Sequence, residues 1–417
     1  MGKHSKSNPK TCLISLPAPF EEVPNMDVPL GLGYISSFLK ANGKDVSLVD
    51  LSNEKDYLSK IPKADIYGIS VTTPQFYWFK QVAHQLDGLV VAGGPHASSR
   101  PKECLEAKAD IAVVGEGEQI MLDIVNGKKY DGHRGVIKNL DSLPFPDRPN
   151  KVYKRTINGE KAVHIISARD CPYSCSFCSK KSVGTNVRFR SIQNFLAEVD
   201  EHRTNGVNSF VIYDDTFTFK KDRAIRISNS LGRRGSTFRI FSRTDKLDYQ
   251  MLKEFKKDGL SSITLGIETF SQDMLNVYNK KNTVKNNKKV LNLCKELDIP
   301  VRCSLIYGGP FETRKTLKDT ISAVEETQPS EWNVATFVPI PGSDIGDNPD
   351  KYKIKVHENL DYLKYNRVGE SGFGEVLVDI STMSPDEYKS NRKWFVEELE
   401  RVCPRKNIQD SIQTLKV

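Results

Sequence analysis

The sequence predicts an α/β protein with two parallel-sheet domains: an open sheet, then a partial barrel of six βα units. Two observations favour this class. Short apolar strands alternate with helical patterns over residues 11–127, and the alternation restarts at residue 161 after a proline-rich segment. Strands separated by helices form parallel sheets that are covered on both faces. The 417 residues suffice for two or three domains.

The first domain is predicted over residues 11–127. Its strands are "TCLISLPAP", "DVSLVDL", "DIYGISVTT", "LVVAGGP" and "IAVVGEG". "LGLGYISSFLKANG" is predicted as an amphipathic helix ending at Gly43, because glycine adopts the left-handed conformation of a helix cap. Residues 128–160 are predicted as a linker, because "DSLPFPDRP" places three prolines in nine residues.

The second domain is predicted over residues 161–344. Its strands are "AVHIISA", "SFVIYDDTF", "FRIFSRT", "SITLGIET", "VRCSLIYGGP" and "WNVATFVPIPG". A closed eight-stranded barrel typically takes ~250 residues, so this shorter segment favours a six-stranded partial barrel. Residues 345–417 are predicted as a small, mainly helical region around "SPDEYKSNRKWFVEELERV", which we expect to form a substrate or lid region.

The composition and the N-terminal sequence restrict the expected location and partners of the protein. No apolar run reaches the ~20 residues that span a bilayer, and the basic start "MGKHSKSNPK" lacks the apolar core of a signal peptide. We expect residues 1–10 to be a disordered tail, and the protein to be cytoplasmic and not membrane-bound. The net charge of +8 is interpreted as a lysine-rich surface, with an anionic partner as the alternative, and "NKKNTVKNNKK" at 279–289 as a solvated loop. Nucleic-acid binding is not indicated.

Three of the eight cysteines lie together in "CPYSCSFCSK", residues 171–180. Nothing suggests export, so a disulfide framework is disfavoured. Thiolates at i, i+4 and i+7 on a loop can converge on one metal centre. Structural zinc needs four ligands, and His164, the candidate fourth, lies within a strand pattern that holds it away. A 4Fe–4S cluster is normally held by four cysteines, so three would leave one iron open to a small molecule. The cluster is therefore favoured, with zinc as the alternative.

At this point the sequence resembles a family. "CPYSCSFC", including Phe177 before the last cysteine, is similar to the Cys-x3-Cys-x2-Cys loop of radical S-adenosylmethionine (SAM) enzymes. Over residues 11–345 the sequence resembles the cobalamin-dependent subfamily of these enzymes. The matching stretches are "VPLGLGYISSFLKANGKDVSLVDL", "VVAGGPHASSRP", "VVGEGE", "LPFPDRP", "VRFRS", "YDDTFTFKK", "LGIETFSQ", "YGGPFET" and "PIPGS". The resemblance implies a Rossmann-like cobalamin-binding domain, a partial (β/α)6 radical SAM barrel and a small mainly helical C-terminal region. It also implies three cofactors: a 4Fe–4S cluster, S-adenosylmethionine and cobalamin.

The resemblance also implies site residues in the barrel. Cys171, Cys175 and Cys178 would bind the cluster, whose open iron binds SAM in that family. The implied SAM contacts are Phe177, Asp214, Asp215, Arg243, Glu268, Gly308, Gly309 and Pro310. Structural alternatives stay open for most of them: packing under the loop for Phe177, helix capping for one aspartate, an internal salt bridge for Arg243 and a plain turn for the Gly-Gly-Pro segment.

The implied cobalamin contacts follow three strands of the first domain: Ser70, Thr72 and Thr73; Gly93, Gly94, Pro95 and His96; and Gly115, Glu116 and Gly117. The Asp-x-His-x2-Gly motif of cobalamin mutases is absent, since the loop after the first strand reads "LPAPFEEVPNMD". We therefore expect no protein histidine on cobalt, and expect His96 to line the corrin edge. Loss of cobalamin from the domain is the alternative.

The resemblance predicts a cobalamin-dependent radical SAM methyltransferase that acts on an unactivated carbon, through a 5′-deoxyadenosyl radical and methylcobalamin. The alternative enzyme hypothesis is cyclisation, ring contraction or another radical rearrangement without methyl transfer. A non-catalytic iron–sulfur or corrinoid-binding module is disfavoured, because it needs no acidic and glycine-rich strand ends. The implied partners are a small-molecule or peptide substrate and an electron donor such as flavodoxin or ferredoxin.

Overall fold

A computed structural model describes residues 8–19, 29–148, 155–357, 362–365 and 377–405. Most of the predicted N-terminal tail lies outside these residues, as do much of the loop "LPAPFEEVPNMD" and parts of the linker and C-terminal region. Within the described ranges, no helix is both long enough and apolar enough to cross a membrane.

The N-terminal domain is a five-stranded parallel sheet, as predicted. The strands are β1 (Thr11–Ser15), β2 (Val46–Asp50), β3 (Ile66–Ser70), β4 (Leu89–Gly93) and β5 (Ile111–Ala112), in the order β2-β1-β3-β4-β5. Ser15 pairs in register with Ser70, and Ser70 with Gly93. The carboxyl ends of these strands therefore meet at one edge, where open parallel sheets bind ligands.

Helices cover both faces of this sheet: α1 (Leu30–Ala41), α2 (Phe76–Ala83), α3 (Gly94–Ser99), α4 (Pro101–Glu106) and α5 (Glu118–Val125). Leu32 and Met121 pack with Leu13 on one face, while Phe79 and Cys104 pack on the other. Gly43, just after α1, has φ +71°, which confirms the predicted left-handed cap. Burial on both faces explains why the strands are short and continuously apolar.

The second domain is the predicted six-stranded partial barrel. The strands β7 (Glu160–Ile165), β10 (Ser209–Ile212), β11 (Thr237–Ser242), β12 (Leu260–Glu268), β13 (Val301–Tyr307) and β14 (Glu331–Thr336) pair in parallel, and β6 (Arg155–Ile157) adds an antiparallel edge. A small hairpin of β8 (Ala168–Arg169) and β9 (Arg188–Phe189) flanks the cysteine loop. The outer helices are α6 (Ile192–Thr204), α7 (Lys221–Gly232), α8 (Tyr249–Lys257), α9 (Gln272–Val277), α10 (Val284–Glu296) and α11 (Arg314–Thr327).

The C-terminal region adds α12 (Asp344–Asp347), the hairpin β15 (Ile354–Val356) and β16 (Val378–Ile380), and α13 (Pro385–Val402). Tyr388, Phe395 and Leu399 of α13 are buried in the same apolar core as the barrel strands. By its packing α13 is therefore a wall of the barrel. A lid in residues 345–417 stays a prediction, and much of that region lies outside the described residues.

The linker joins the two domains by specific contacts. The Asp147 carboxylate accepts a hydrogen bond from Ser36 Oγ at 2.9 Å, and the Asp147 N–H donates to Gly33 O at 3.0 Å, both on α1. The neighbouring Arg148 donates to His164 O at 3.0 Å and to Glu198 Oε1 at 3.1 Å, in β7 and α6. Successive residues of "PFPDR" thus bind opposite domains and fix their relative placement.

Candidate functional site

A cavity of about 340 Å³ lies between the carboxyl ends of the N-terminal strands and the barrel. Gly93 and Gly115 line it from the first domain, and Ala168, Tyr213 and Asp215 line it from the second. Its deep end is apolar, lined by residues such as Leu13, Gly68, Val91, Val113 and Met121. A ligand in this cavity contacts both domains at once.

Several of the predicted cobalamin contacts line the cavity. Six of the ten line it: Ser70, Gly93, Gly94, Gly115, Glu116 and Gly117. A Cβ added at Gly31 or Gly93 would meet no heavy atom within 4 Å, so both glycines leave open space where a side chain would stand. The open space at these glycines and the apolar residues of the wall are compatible with a ligand that lies against the backbone, as predicted for cobalamin.

Four predicted cobalamin contacts do not line the cavity: Thr72, Thr73, Pro95 and His96. The His96 ring is fully buried between Phe76 and Tyr362, with ring centroids 4.5 and 5.2 Å away, and its Nδ1 lies 3.2 Å from Thr73 Oγ1. Burial lowers the pKa of His96 to about 4, with a smaller effect from Arg100. The ring therefore packs in the core on the other face of the sheet, away from the cavity wall, and the place of His96 at the corrin edge stays a prediction that this packing does not favour.

Glu116 is the centre of an ion-pair network between the domains. Its carboxylate accepts from Arg169 Nη1 at 2.8 Å and from Arg188 Nη1 at 2.7 Å, both in the hairpin beside the cysteine loop. Glu118 binds Arg169 at 2.7 Å, and Asp170 binds Arg188 at 2.7 Å. Burial would raise the pKa of Glu116, but the arginines outweigh it and lower that pKa. The network holds the first domain against the barrel mouth at the cavity wall.

The three clustered cysteines lie on the loop between β8 and β9. Cys171, Cys175 and Cys178 are partly exposed, whereas the other five cysteines are buried. The Cys178 N–H donates to Cys175 O at 3.0 Å, which forms a tight turn. Asp170, just before Cys171, has φ +74°, a left-handed conformation that is uncommon for a non-glycine residue.

No three His, Cys, Asp or Glu side chains in the described part of the chain converge on a single metal ion. Ligands that each bind a different iron of a cluster need no such convergence. Three partly exposed thiols on one loop, beside the guanidinium of Arg243, fit a cluster bound at this place.

The two adjacent aspartates after β10 have different surroundings. Asp214 is buried and accepts from Ser167 N and Ser167 Oγ, each at 2.6 Å, and from Ala168 N at 3.0 Å. Burial raises its pKa against these hydrogen bonds. Asp215 lines the cavity and lies 2.9 Å from Lys180 Nζ. Asp214 therefore has a structural role in holding Ser167 and Ala168, and Asp215 is the carboxylate that faces the cavity; a SAM contact by either aspartate stays a prediction.

Glu268 and Arg243 lie close together at the ends of β12 and β11. Glu268 has φ +64° and pairs with Lys280 Nζ at 3.0 Å. Arg243 binds Asp245 at 2.8 Å, so the internal salt bridge left open for it is present. Its Nη1 also lies 3.8 Å from Cys175 Sγ, and its guanidinium stacks 3.8 Å above the Tyr173 ring.

The predicted adenine contacts are packed by tyrosines. Phe177 meets Tyr278 edge to face at 5.3 Å and packs against the barrel core, so its packing role is present. Gly308, Gly309 and Pro310 are buried. A Cβ at Gly308 would clash with the Tyr388 hydroxyl, and one at Gly309 with the Tyr278 hydroxyl. On the side where a Cβ would stand, the groups that approach Gly308 and Gly309 closely are therefore the tyrosines Tyr388 and Tyr278.

Sequence reasoning missed three cations of the site. Arg169 and Arg188 bind glutamates about fifty to seventy positions away, and no local pattern signals such pairs. Lys280 opens the basic run that was predicted as a solvated loop, yet it is 4% exposed. That prediction is wrong for Lys280 and also for residues 284–289, which are the start of α10 and include the fully buried Asn287, while Lys281 is exposed.

Comparison with known proteins agrees with this geometry. A family model of the radical SAM superfamily matches residues 165–324, and one of the B12 binding domain matches residues 21–125. The chain belongs to the radical SAM enzymes that carry a B12-binding domain.

Two curated relatives of this radical SAM enzyme are each 29% identical to it. One is the anaerobic magnesium-protoporphyrin IX monomethyl ester cyclase of Rubrivivax gelatinosus, with 82% of this chain and 69% of the relative covered. The other is an uncharacterized methyltransferase of Pyrococcus horikoshii, with 76% and 77% covered.

A solved structure shares the fold. It is the radical S-adenosylmethionine methyltransferase TsrM from Kitasatospora setae, with cobalamin and a [4Fe-4S] cluster bound. The TM-score is 0.71 at 14% identity, over 95% of this chain and 89% of that one. This radical SAM enzyme therefore has the fold of a B12-binding domain followed by a partial barrel.

Proposed function

We propose that this enzyme methylates an unactivated carbon of a small-molecule or peptide substrate held between its two domains. The observation that carries the proposal is the shared cavity, where Gly93 of the first domain faces Asp215 of the barrel mouth. Reacting groups bound on opposite walls of one cavity need little further movement, and such proximity lowers a reaction barrier substantially. The name of the Pyrococcus relative supports methyl transfer.

Residues of both domains would hold the cofactors. Cys171, Cys175 and Cys178 would bind the 4Fe–4S cluster, Asp215 and Glu268 would orient SAM, and the glycine-lined wall around Gly93 would hold cobalamin. When bound, these cofactors supply hydrogen-atom abstraction after one-electron cleavage of SAM, and a methyl group carried on cobalt. Residues 11–127 would bind cobalamin, residues 161–344 would bind the cluster and SAM, and residues 345–417 would contact the substrate.

The chain's own residues orient and enclose these groups. The Glu116 network and the Asp147–Arg148 contacts keep the two cavity walls at a fixed separation. The apolar residues at the deep end of the cavity keep water out, which protects a radical from side reactions. An external one-electron donor such as flavodoxin or ferredoxin would supply reducing equivalents.

The test uses SAM with a trideuterated methyl group and the anaerobically reconstituted enzyme, incubated with candidate extracts. We expect a product three mass units heavier than the one made with unlabelled SAM, together with 5′-deoxyadenosine and S-adenosylhomocysteine. The Cys175→Ala variant should form none of these, while Cys104→Ala, which removes a buried thiol in the core of the first domain, should keep 5′-deoxyadenosine formation.

The cyclase relative gives the second candidate, a radical ring closure without methyl transfer. It predicts substrate loss and 5′-deoxyadenosine with no label in the product and no S-adenosylhomocysteine. That outcome would reject the methyltransferase proposal in its favour.

A further inference from the structure

The segment 277–280, which begins at the last residue of α9 and precedes α10, is hydrogen-bonded to the cysteine loop. Val277 O accepts from Ser176 Oγ at 3.0 Å, and Tyr278 O accepts from Ser176 N at 2.9 Å. Asn279 Nδ2 donates to Ser174 O at 2.8 Å. The loop that carries the three cysteines is therefore fastened to this segment on both sides of Cys175.

Lys280 ends the segment with a buried ammonium group. Its Nζ donates to Gly266 O at 2.9 Å and to Glu268 Oε1 at 3.0 Å. Its carbonyl accepts from Arg243 Nη2. Lysine is almost never fully buried unless it is paired, because removing its charge from water is costly. These hydrogen bonds therefore hold the positive charge of Lys280 in the protein interior.

Two cations converge on the side of Cys175. Arg243 Nη1 lies 3.8 Å from Cys175 Sγ. Arg243 also donates to the carbonyl of Lys280, and Asn279, the residue before Lys280, donates to Ser174 O beside Cys175. The Lys280–Glu268 ion pair therefore lies next to the loop that carries Cys175, and its two charges have opposite signs.

Lys280 also determines where the Glu268 carboxylate lies. Glu268 is in a left-handed conformation, φ +64°, at a register shift between β12 and β13. Such a conformation is unfavourable for a non-glycine residue and persists only when its surroundings hold it. The ion pair with Lys280, whose side chain is 5% exposed, is the contact that holds this side chain.

We propose that Lys280 is a positioning residue for the redox site: it fixes Glu268 and, together with Arg243, places buried positive charge beside Cys175, so that a cluster bound there accepts an electron more readily. This rests on the proposed binding of a 4Fe–4S cluster by the three cysteines. The step concerned is the transfer of one electron from an external reductant to the oxidised cluster, with no bond made or broken in the protein.

The test measures the midpoint potential of the reconstituted cluster without SAM, by redox titration followed by electron paramagnetic resonance, with dithionite as reductant. Lys280→Met should lower the equilibrium constant for reduction at least tenfold, which for a one-electron couple is about 59 mV. Lys281→Met removes the same charge from the exposed neighbour and should leave the potential unchanged. Lys280→Arg keeps the charge and should stay close to the unmodified enzyme.

Glu268→Gln gives a result of opposite sign. It removes the negative charge that opposes Lys280, so the potential should rise. A purely structural loosening of the loop would move both variants in the same direction and would overturn the proposal. So would a Lys280→Met potential equal to that of Lys281→Met at full iron content.

Two further outcomes are distinguishable. If Lys280→Met fails to fold or to take up iron, Lys280→Arg and Glu268→Gln still decide: no rise in Glu268→Gln rejects the proposal. If the unmodified enzyme takes up no iron, the cluster assignment itself fails, and this inference fails with it.

Discussion

Replacing Glu116 by glutamine tests the network that joins the two domains. Glu116 accepts four hydrogen bonds: one from Arg169, two from Arg188 and one from Ile137 N. Bonds to charged groups contribute about 1.5–3 kcal/mol each, and leaving a buried charge without its partner costs about 3–5 kcal/mol. Here Arg169 keeps Glu118 and Arg188 keeps Asp170, each at 2.7 Å. We therefore expect a smaller loss, about 2–3 kcal/mol of unfolding free energy.

The measurement is urea unfolding at pH 7, with Glu106→Gln on the exposed face of α4 as the matched control. The control should change the unfolding free energy by less than about 0.5 kcal/mol, as surface substitutions do. Glu116→Gln should also weaken binding of hydroxocobalamin, because Glu116 lines the cavity. A loss no larger than that of the control would refute the reasoning that this network holds the domains together.

The pH dependence of the same variant has a fixed sign. Burial would raise the pKa of Glu116, but the arginines bring it below its ordinary value of 4.5. A carboxylate with a depressed pKa stabilises the fold fully above its ordinary pKa, and that stability is lost as the pH falls through the folded-state value. The difference in stability between the unmodified enzyme and Glu116→Gln should thus be complete at pH 7 and shrink below about pH 4.5.

Three other outcomes are expected. Gly93→Leu should weaken hydroxocobalamin binding at least about tenfold, or 1.4 kcal/mol, without loss of stability, since its side chain would enter open cavity; unchanged affinity would contradict the cavity assignment. Burial opposes ionisation of Glu198, yet His202, Arg190 and Arg148 lower its pKa to about 2. Glu198→Gln should therefore cost about 3 kcal/mol at pH 7 and much less near pH 2, measured by urea unfolding. His96→Ala should cost about 2–4 kcal/mol and leave hydroxocobalamin affinity unchanged; a large loss of affinity would restore His96 to the site.

The strands and the cysteine loop were predictable because their signals are local. Apolar runs bounded by glycine mark strands, and the carboxyl ends of parallel strands share one edge, which brought Gly93 and Gly115 to one cavity. His96 follows the same strand end as Gly93, but the chain enters α3 at Gly94, which turns the histidine to the other face. The sequence shows where a strand ends but not how the next residues turn.

Two other features that the sequence did not reveal have a similar cause. Asp214 and Asp215 are adjacent, and only the backbone direction decides which one is buried and which faces the cavity. Lys280 looks solvated within its polar run, because its partner Glu268 belongs to a strand end twelve residues away. Burial of a charge depends on such tertiary pairing, so charge runs alone are a poor guide to exposure.

The contact of Tyr362 with the N-terminal domain has a consequence for synthesis on the ribosome. Tyr362 packs on Phe76 at 5.7 Å and on His96, and its hydroxyl donates to Glu103 at 3.2 Å, across 259 positions of the chain. The N-terminal domain leaves the ribosome long before this tyrosine exists. At a typical 5–20 residues per second, Phe76 and His96 would lack their cover for roughly ten seconds or more. The nascent domain therefore presents an apolar patch to chaperones until nearly the whole chain has been translated.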